Sequence, residues 1–491
     1  MLNGSIRISY ILLMILSLSL YIILLFWWQS WVIFGIILYI VLSVYFSNKL
    51  RDPLNMHLIA ISSIFLYAVP SSVLILQGEI VLDRDESLML FSSICLGLLG
   101  YTSGVLVIKK SSIFKHNTRL SVKLNKLLGL LGYTSGVLVI KSSSIFKHNT
   151  RLSVKLNRLF WTTYKYRYIL VFISCLILFY KGFAPMSMSY QESVDYRAQV
   201  PGVVQYYNSL IGTIFSILTL GMISVFGDIK KYRKLSWLSY LTIILIVLSI
   251  IGGHRSIIIS LCAYLMLAFQ PRLKRKYIML IGILAIMIIF TVSGAVRFAR
   301  SGISFTYNLR YFYEYFINLK SLISIFWGLS DFTGPFSVFI TLVKNIPQNI
   351  NFDYFAYIKD LSLLIPTLLY PGRPLPYNKW YVATFDPDRF QAGGGLTFYI
   401  LGFGYLFAGP FGVFIHLFLF GVLFELFNKF FKMVGDPAGI FLYGYFFVNL
   451  ILFAVSDGFV TFIKNSIILY GIIPISLLFL SAFFLDSLKP K

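Results

Sequence analysis

Apolar runs of about 20 residues recur from one end of this chain to the other. Each is long enough to cross the ~30 Å hydrocarbon layer of a bilayer at ~1.5 Å per helical residue. Inside lipid a backbone must satisfy its own N–H and C=O groups, and runs of this length do so as helices. Composition agrees, with 58% hydrophobic residues, 12% charged residues and a mean hydropathy of +0.82. The sequence predicts an all-α, polytopic integral membrane protein with about twelve transmembrane helices and one large external loop.

The expected spans are 8–28, a second run ending near 46, 56–76, 88–108, 168–183, 207–226, 235–251, 256–269, 277–295, one within 396–427, 438–455 and 467–486. No small-residue cleavage site follows the first, so it is expected to be retained. With these spans, 28 of the 42 Lys+Arg but only 5 of the 18 Asp+Glu fall on one side. The positive-inside rule makes that side cytoplasmic and places both termini there. The net charge of +24 is therefore a topology signal and not one for nucleic acid. The chain divides into membrane helices one to nine (1–295), a large external loop (296–395) and membrane helices ten to twelve (396–491). Run 396–427 has length for a re-entrant lead-in as well as a crossing. Cys95, Cys175 and Cys262 all lie within spans, so the external loop has no disulfide and must be held by packing on the helices.

Residues 96–127 and 128–159 are tandem copies that differ only at Lys110 against Ser142 and Lys126 against Arg158. Two near-identical units do not make a solenoid, which needs three or more. They read as a recent duplication or an assembly error. The apolar part of the second copy, 127–140, would reach only about 21 Å as a helix. Lys126 and Lys141 flank it, and one more crossing would invert every later loop. The second copy is expected not to span.

Several side chains stand out on the outer side, which is otherwise poor in basic residues. Gly252-Gly253-His254-Arg255 forms a tight turn between spans seven and eight. Arg297 and Arg300 follow span nine, three residues apart and so on one face of a helix. Arginine's planar, permanently charged fork suits a phosphate group, although any one of them could instead anchor at lipid headgroups. The external loop adds Arg310, Arg373 and Arg389 among many aromatics, including Trp380 and Tyr381, whose flat faces suit sugar rings and lipid boundaries alike. Asp83-Arg84-Asp85 and Asp386-Pro387-Asp388 could hold a divalent cation through oxygen, but such triplets are common in acidic outer loops, and no metal or other cofactor is expected. Glu425 reads as a snorkelling or packed carboxylate.

Taken together, the chain resembles the oligosaccharide repeat-unit polymerases, the Wzy-type O-antigen and capsule polymerases. The resemblance is mainly architectural and sharpest at three places. These are Gly253-His254-Arg255; Phe390-Gln391-Ala392-Gly393-Gly394-Gly395-Leu396-Thr397-Phe398 leading into Gly404-Tyr405-Leu406-Phe407-Ala408-Gly409-Pro410-Phe411-Gly412-Val413; and Ser456-Asp457-Gly458-Phe459. The chain departs from the family at Phe403, where an acidic residue is frequent, and in having no arginine beside Ser456-Asp457. The resemblance implies a GT-C-like glycosyltransferase of the bacterial inner membrane. It would transfer a growing glycan from undecaprenyl pyrophosphate to a new lipid-linked repeat unit on the periplasmic side, building O-antigen or capsular polysaccharide. It also implies membrane lipid, a flippase and a chain-length regulator as partners. On that reading Arg255, Arg297 and Arg300 stabilise the pyrophosphate leaving group and Arg373, Arg389, Trp380 and Tyr381 contact substrate. The general base is left open among His254, Asp331, Asp386 and Asp388. The rival expectations are an O-antigen ligase, which usually has a histidine in its outer loop where this chain has none, and a lipid-linked oligosaccharide flippase.

Overall fold

A computed structural model describes residues 56–76, 80–110, 150–172, 214–251, 267, 333–365, 369–391, 396–464, 476, 480 and 483–487. Among the described residues the regular structure is all helical. In chain order the helices are α1 (Met56–Leu76), α2 (Arg84–Lys110), α3 (Thr150–Lys165), α4 (Ile214–Tyr232), α5 (Trp237–Ile251), α6 (Thr333–Asn345), α7 (Ala356–Ser362), α8 (Tyr377–Phe385), α9 (Pro387–Gln391), α10 (Ile400–Val434), α11 (Ala438–Leu452) and the single turn α12 (Phe459–Phe462). Two of them, α2 and α10, are long and apolar enough to cross a membrane. Helix α1 coincides with expected span three, and α11 with the 3₁₀ turn Phe453–Val455 covers span eleven. Helix α2 starts four residues before span four because Asp83 and Glu86 form a capping box. The Glu86 N–H donates to Asp83 Oδ1 at 2.7 Å and the Asp83 N–H to Glu86 Oε2 at 3.0 Å. The first acidic triplet is thus partly a helix cap.

Helix α10 is two limbs. Ala408 (φ −160°, ψ 41°) and Gly409 (φ 60°, ψ −147°) break it ahead of Pro410. Gly409 takes a left-handed φ that a side chain would resist. The limbs fold back on each other: a Cβ on Gly412 would stand 2.1 Å from the Gly404 carbonyl oxygen, and the Phe403 and His416 rings are 4.7 Å apart. In one straight helix positions eight apart would be separated by ~12 Å. The short limb begins deep in the bundle, where the Tyr399 hydroxyl donates to the Ile64 carbonyl midway along α1 at 2.6 Å. The long limb, 410–434, is ~37 Å at 1.5 Å per residue.

Glycines bring α2 against this long limb at backbone distance. A Cβ on Gly100 would meet the Phe414 carbonyl at 2.1 Å, one on Gly104 the Phe418 carbonyl at 2.2 Å, and one on Gly421 the Tyr101 carbonyl at 2.2 Å. Small residues so spaced are the means by which apolar helices pack without a hydrophobic drive from solvent. A polar knot lies in the same interface. His57 Nε2 is 2.6 Å from Glu425 Oε2 and its Nδ1 is 3.0 Å from the Tyr101 hydroxyl. Glu425 also accepts from Asn428 at 3.2 Å, so it is a packed carboxylate joining α1, α2 and α10.

Contacts sort the loops into two ends. At one, Ser153 and Asn157 of α3 donate to the Val434 carbonyl, and the Ala438 N–H donates to Asn157 Oδ1. Asp228 gathers the same end by accepting from the Ser236 N–H, the Ser239 hydroxyl and the Tyr164 hydroxyl. Burial alone would raise its pKa, but these bonds outweigh it and hold the carboxyl below its ordinary range. At the other end lie 80–86, 344, 353–365, 369–391, 406–409 and 456–464. There Lys344 donates to the Val81 carbonyl, and the Asp353 N–H to the Leu406 carbonyl. The described part of the 296–395 segment packs closely on the bundle: Phe336, Phe339 and Leu342 of α6 are fully buried in the main core with Tyr399 and Tyr405.

Candidate functional site

The site forms where the end of α7 meets the turn before α12. Asp360 is fully buried. It accepts from the Val460 N–H at 2.7 Å, the Thr461 N–H at 3.1 Å and the Thr461 hydroxyl at 2.6 Å. It therefore caps a helix start that lies 100 residues further along the chain. Gly458 makes the approach possible, since a Cβ there would come within 2.6 Å of Asp360 Oδ2. Burial pushes the Asp360 carboxyl up to about 6, and the three donors together with Lys464 restrain the rise.

Two cations converge on the chain just after Asp360. Lys464 Nζ donates to the Leu363 carbonyl at 2.6 Å, and Arg373 Nη1 reaches that oxygen at 3.4 Å and the Ile365 carbonyl at 3.0 Å. These are carbonyls at the C-terminus of α7, where cations are favoured. Burial lowers the Lys464 ammonium below its ordinary pKa, and Arg373 lowers it further, while Asp360 opposes both. The two positive groups are close enough to feel each other, the condition that an anion placed between them would relieve. Each retains N–H donors beyond those spent on the carbonyls.

Asp457 stands on a turn pinned on both sides. Ser456 donates through its hydroxyl to the Phe453 carbonyl at 2.7 Å, and Gly458 lies under Asp360. Its own half-buried carboxylate accepts no hydrogen bond from the described residues. Desolvation and then the nearby Asp360 charge push it up to about 7.

An aromatic wall closes the site toward the bundle. The Tyr357 hydroxyl is 2.8 Å from His416 Nδ1, and the Tyr357 ring meets Phe403 and Phe407 edge-on. Phe403 is fully buried between Tyr357, Tyr377 and His416, where it fills an aromatic core. His416 Nε2 is buried and finds no partner among the described residues. Tyr354, Phe355 and Ile358 around the start of α7 are about two-thirds exposed, and Leu369, four residues before Arg373, is 74% exposed.

Of the residues singled out in the sequence, Arg373 belongs to this cluster. Arg389 is exposed on α9, where its N–H lies 3.4 Å from Asp386 Oδ1, so the second acidic triplet also serves a helix start. Tyr381 is buried against Phe385 and Phe398, and Trp380 is partly buried against Tyr377 and Phe385. Tyr381 therefore offers no open ring face to a sugar. His254, Arg255, Arg297, Arg300, Arg310 and Asp331 lie outside the described residues. No group of three or more His, Cys, Asp or Glu among the described residues could hold a metal ion. Asp360 and Lys464 escaped sequence reading because only the fold brings residues 100 apart together. No protein family, curated protein or solved structure matches the chain.

Proposed function

We propose that this protein is an inner-membrane glycosyltransferase that polymerises undecaprenyl-pyrophosphate-linked oligosaccharide repeat units into O-antigen or capsular polysaccharide. The observation that carries the reading is the pairing of Arg373 and Lys464 on the Leu363 carbonyl at the end of α7, a segment that also exposes Tyr354, Phe355 and Ile358. An amphiphile with an anionic head and an apolar tail fits such a surface, and a lipid pyrophosphate is one. Negative charge grows on the pyrophosphate as its bond to the sugar breaks, and fixed cations in a partly dry site stabilise that charge most. Arg255, Arg297 and Arg300 would add to the same positive field from neighbouring span ends, with His254 beside them. Arg389 and the exposed edge of Trp380 would contact glycan.

Sidedness supports the membrane reading. Residues assigned to the outer face from apolar spans and charge (80–86, 353–365, 369–391 and 456–464) meet at one end of the bundle. Those assigned to the cytoplasm (150–167, 228–234 and 429–437) meet at the other. Twelve crossings with both termini cytoplasmic reproduce this alternation, and a GT-C-like arrangement of helices accommodates it.

The test is to delete the gene in its host and examine surface glycan. A polymerase predicts single repeat units still attached to their carrier lipid or core. A flippase predicts no exported repeat units, and a ligase predicts long chains that remain on undecaprenyl pyrophosphate.

A further inference from the structure

We infer that Asp457 is the general base of the transfer reaction and that Asp360 is the positioning residue that holds the turn carrying it. The inference rests on the polymerase reading. Two carboxylates share this corner, and their surroundings give them different roles. Asp360 is fully buried, with both oxygens accepting from the Val460 and Thr461 donors, so it offers no accessible oxygen to a substrate. Asp457 is half-buried, accepts no hydrogen bond from the described residues, and sits between two anchored neighbours, Ser456 and Gly458. Its backbone is fixed, while its carboxylate is not spent on a hydrogen bond to the described residues. The charged groups around it are Asp360 from α7, Lys464 beyond α12 and Arg373 from the segment between α7 and α8. Asp360 acts directly on both Asp457 and Lys464, and Arg373 acts on Lys464. A base titrating near neutrality suits proton removal from a sugar hydroxyl at the pH of the cell exterior.

The step balances without a further reactant. The acceptor hydroxyl oxygen attacks the anomeric carbon of the donor glycan, and its proton passes to an Asp457 carboxylate oxygen. The bond from the anomeric carbon to the phosphate oxygen breaks, and its electron pair leaves with undecaprenyl pyrophosphate, facing Arg373 and Lys464. Asp457 then returns the proton to solvent.

The test uses full-length protein in liposomes with a synthetic undecaprenyl-pyrophosphate repeat unit, followed as chain extension between pH 5 and 9. Wild type should show a rate that rises with pH through an apparent pKa near 7 and then levels. Asp457→Asn should lower kcat by about 10²- to 10⁴-fold, the usual contribution of a general base, with little change in KM. Asp457→Glu should keep the pH limb at reduced rate. Asp360→Asn removes the neighbouring negative charge, so the limb should move to lower pH, an effect that a purely structural role would not produce. A wild-type rate flat across pH 6–8, or Asp457→Asn within threefold of wild type, overturns the assignment of the base while extension itself upholds the polymerase reading. No extension by wild type at any pH overturns both.

Discussion

Asp360 and Thr461, 101 residues apart in the chain, are joined twice, by the Thr461 hydroxyl at 2.6 Å and by its N–H at 3.1 Å. This clamp ties the long segment between α5 and α10 to the turn that precedes α12. It fixes where Arg373, Lys464 and Asp457 stand relative to one another. It also binds two parts of the chain that share no local sequence signal.

Breaking the clamp should cost more than a surface change. Asp360→Ala leaves the Val460 and Thr461 N–H groups and the Thr461 hydroxyl without an acceptor, at about 1–3 kcal/mol for an unsatisfied buried group. Thr461→Val removes one bond and should cost about 1 kcal/mol. Thermal unfolding of the detergent-purified variants should rank Asp360→Ala below Thr461→Val, and both below wild type.

The same carboxylates make stability depend on pH. Asp360 and Asp457 have folded-state values raised to about 6 and about 7, above their ordinary 3.8. A group whose folded pKa is raised binds its proton more tightly when folded, so stability is greatest at low pH and falls as pH rises through the folded values. The melting temperature should therefore drop between pH 5 and pH 8, and Asp457→Asn should flatten the upper part of that fall. A rise over the same interval would contradict the assignment.

The reversal in α10 can be measured directly. Phe403→Cys and His416→Cys in one chain should be bridged by a short bifunctional thiol reagent, because their parent rings are 4.7 Å apart. A continuous helix would separate these positions by ~20 Å and give no bridge.

The described structure includes the first part of the first copy, 96–110, and the last part of the second, 150–159. Gly97, Gly100 and Gly104 of the first copy face α10, and Ser153 and Asn157 of the second hold the Val434 carbonyl. Removing residues 118–149 joins Asn117 to Thr150 and restores a single copy with both sets of contacts present. That deletion should keep membrane accumulation and activity close to wild type. Gly100→Val should reduce accumulation severely, because its side chain would enter the Phe414 carbonyl. Comparable loss in both variants would mean that the second set of contacts is needed as well.

The helices were legible in the sequence because apolar length is a local signal. The apolar run over Met56–Leu76 signalled a helix, and the excess length of 396–427 signalled a lead-in before the crossing. The earlier start of α2 had a visible cause in Asp83-x-x-Glu86 that hydropathy does not register. The burial of α6 in the main core was hidden by its place in a segment read as external. The His57–Glu425 and Asp360–Thr461 pairs were not legible, since each joins positions more than 100 residues apart whose chemistry is unremarkable in isolation. Arg373 stood out as a cation on a side poor in them. Lys464 did not, because its partner Leu363 contributes only a backbone oxygen.

The paired cations give the central claim its most direct measurement. Purified protein in liposomes containing an undecaprenyl-pyrophosphate repeat unit should produce a ladder of longer glycans, releasing one undecaprenyl pyrophosphate per bond formed. Arg373→Ala should remove a charge-assisted contact to the leaving group, raising the barrier by about 2–4 kcal/mol and slowing the ladder roughly 30- to 1000-fold. Arg373→Lys should restore part of the rate, since it keeps the charge but loses the fork. A wild-type ladder that collapses in Arg373→Ala with the protein still folded is the predicted result. No ladder from wild type, or an unchanged ladder from the double variant Arg373→Ala with Lys464→Ala, would contradict it.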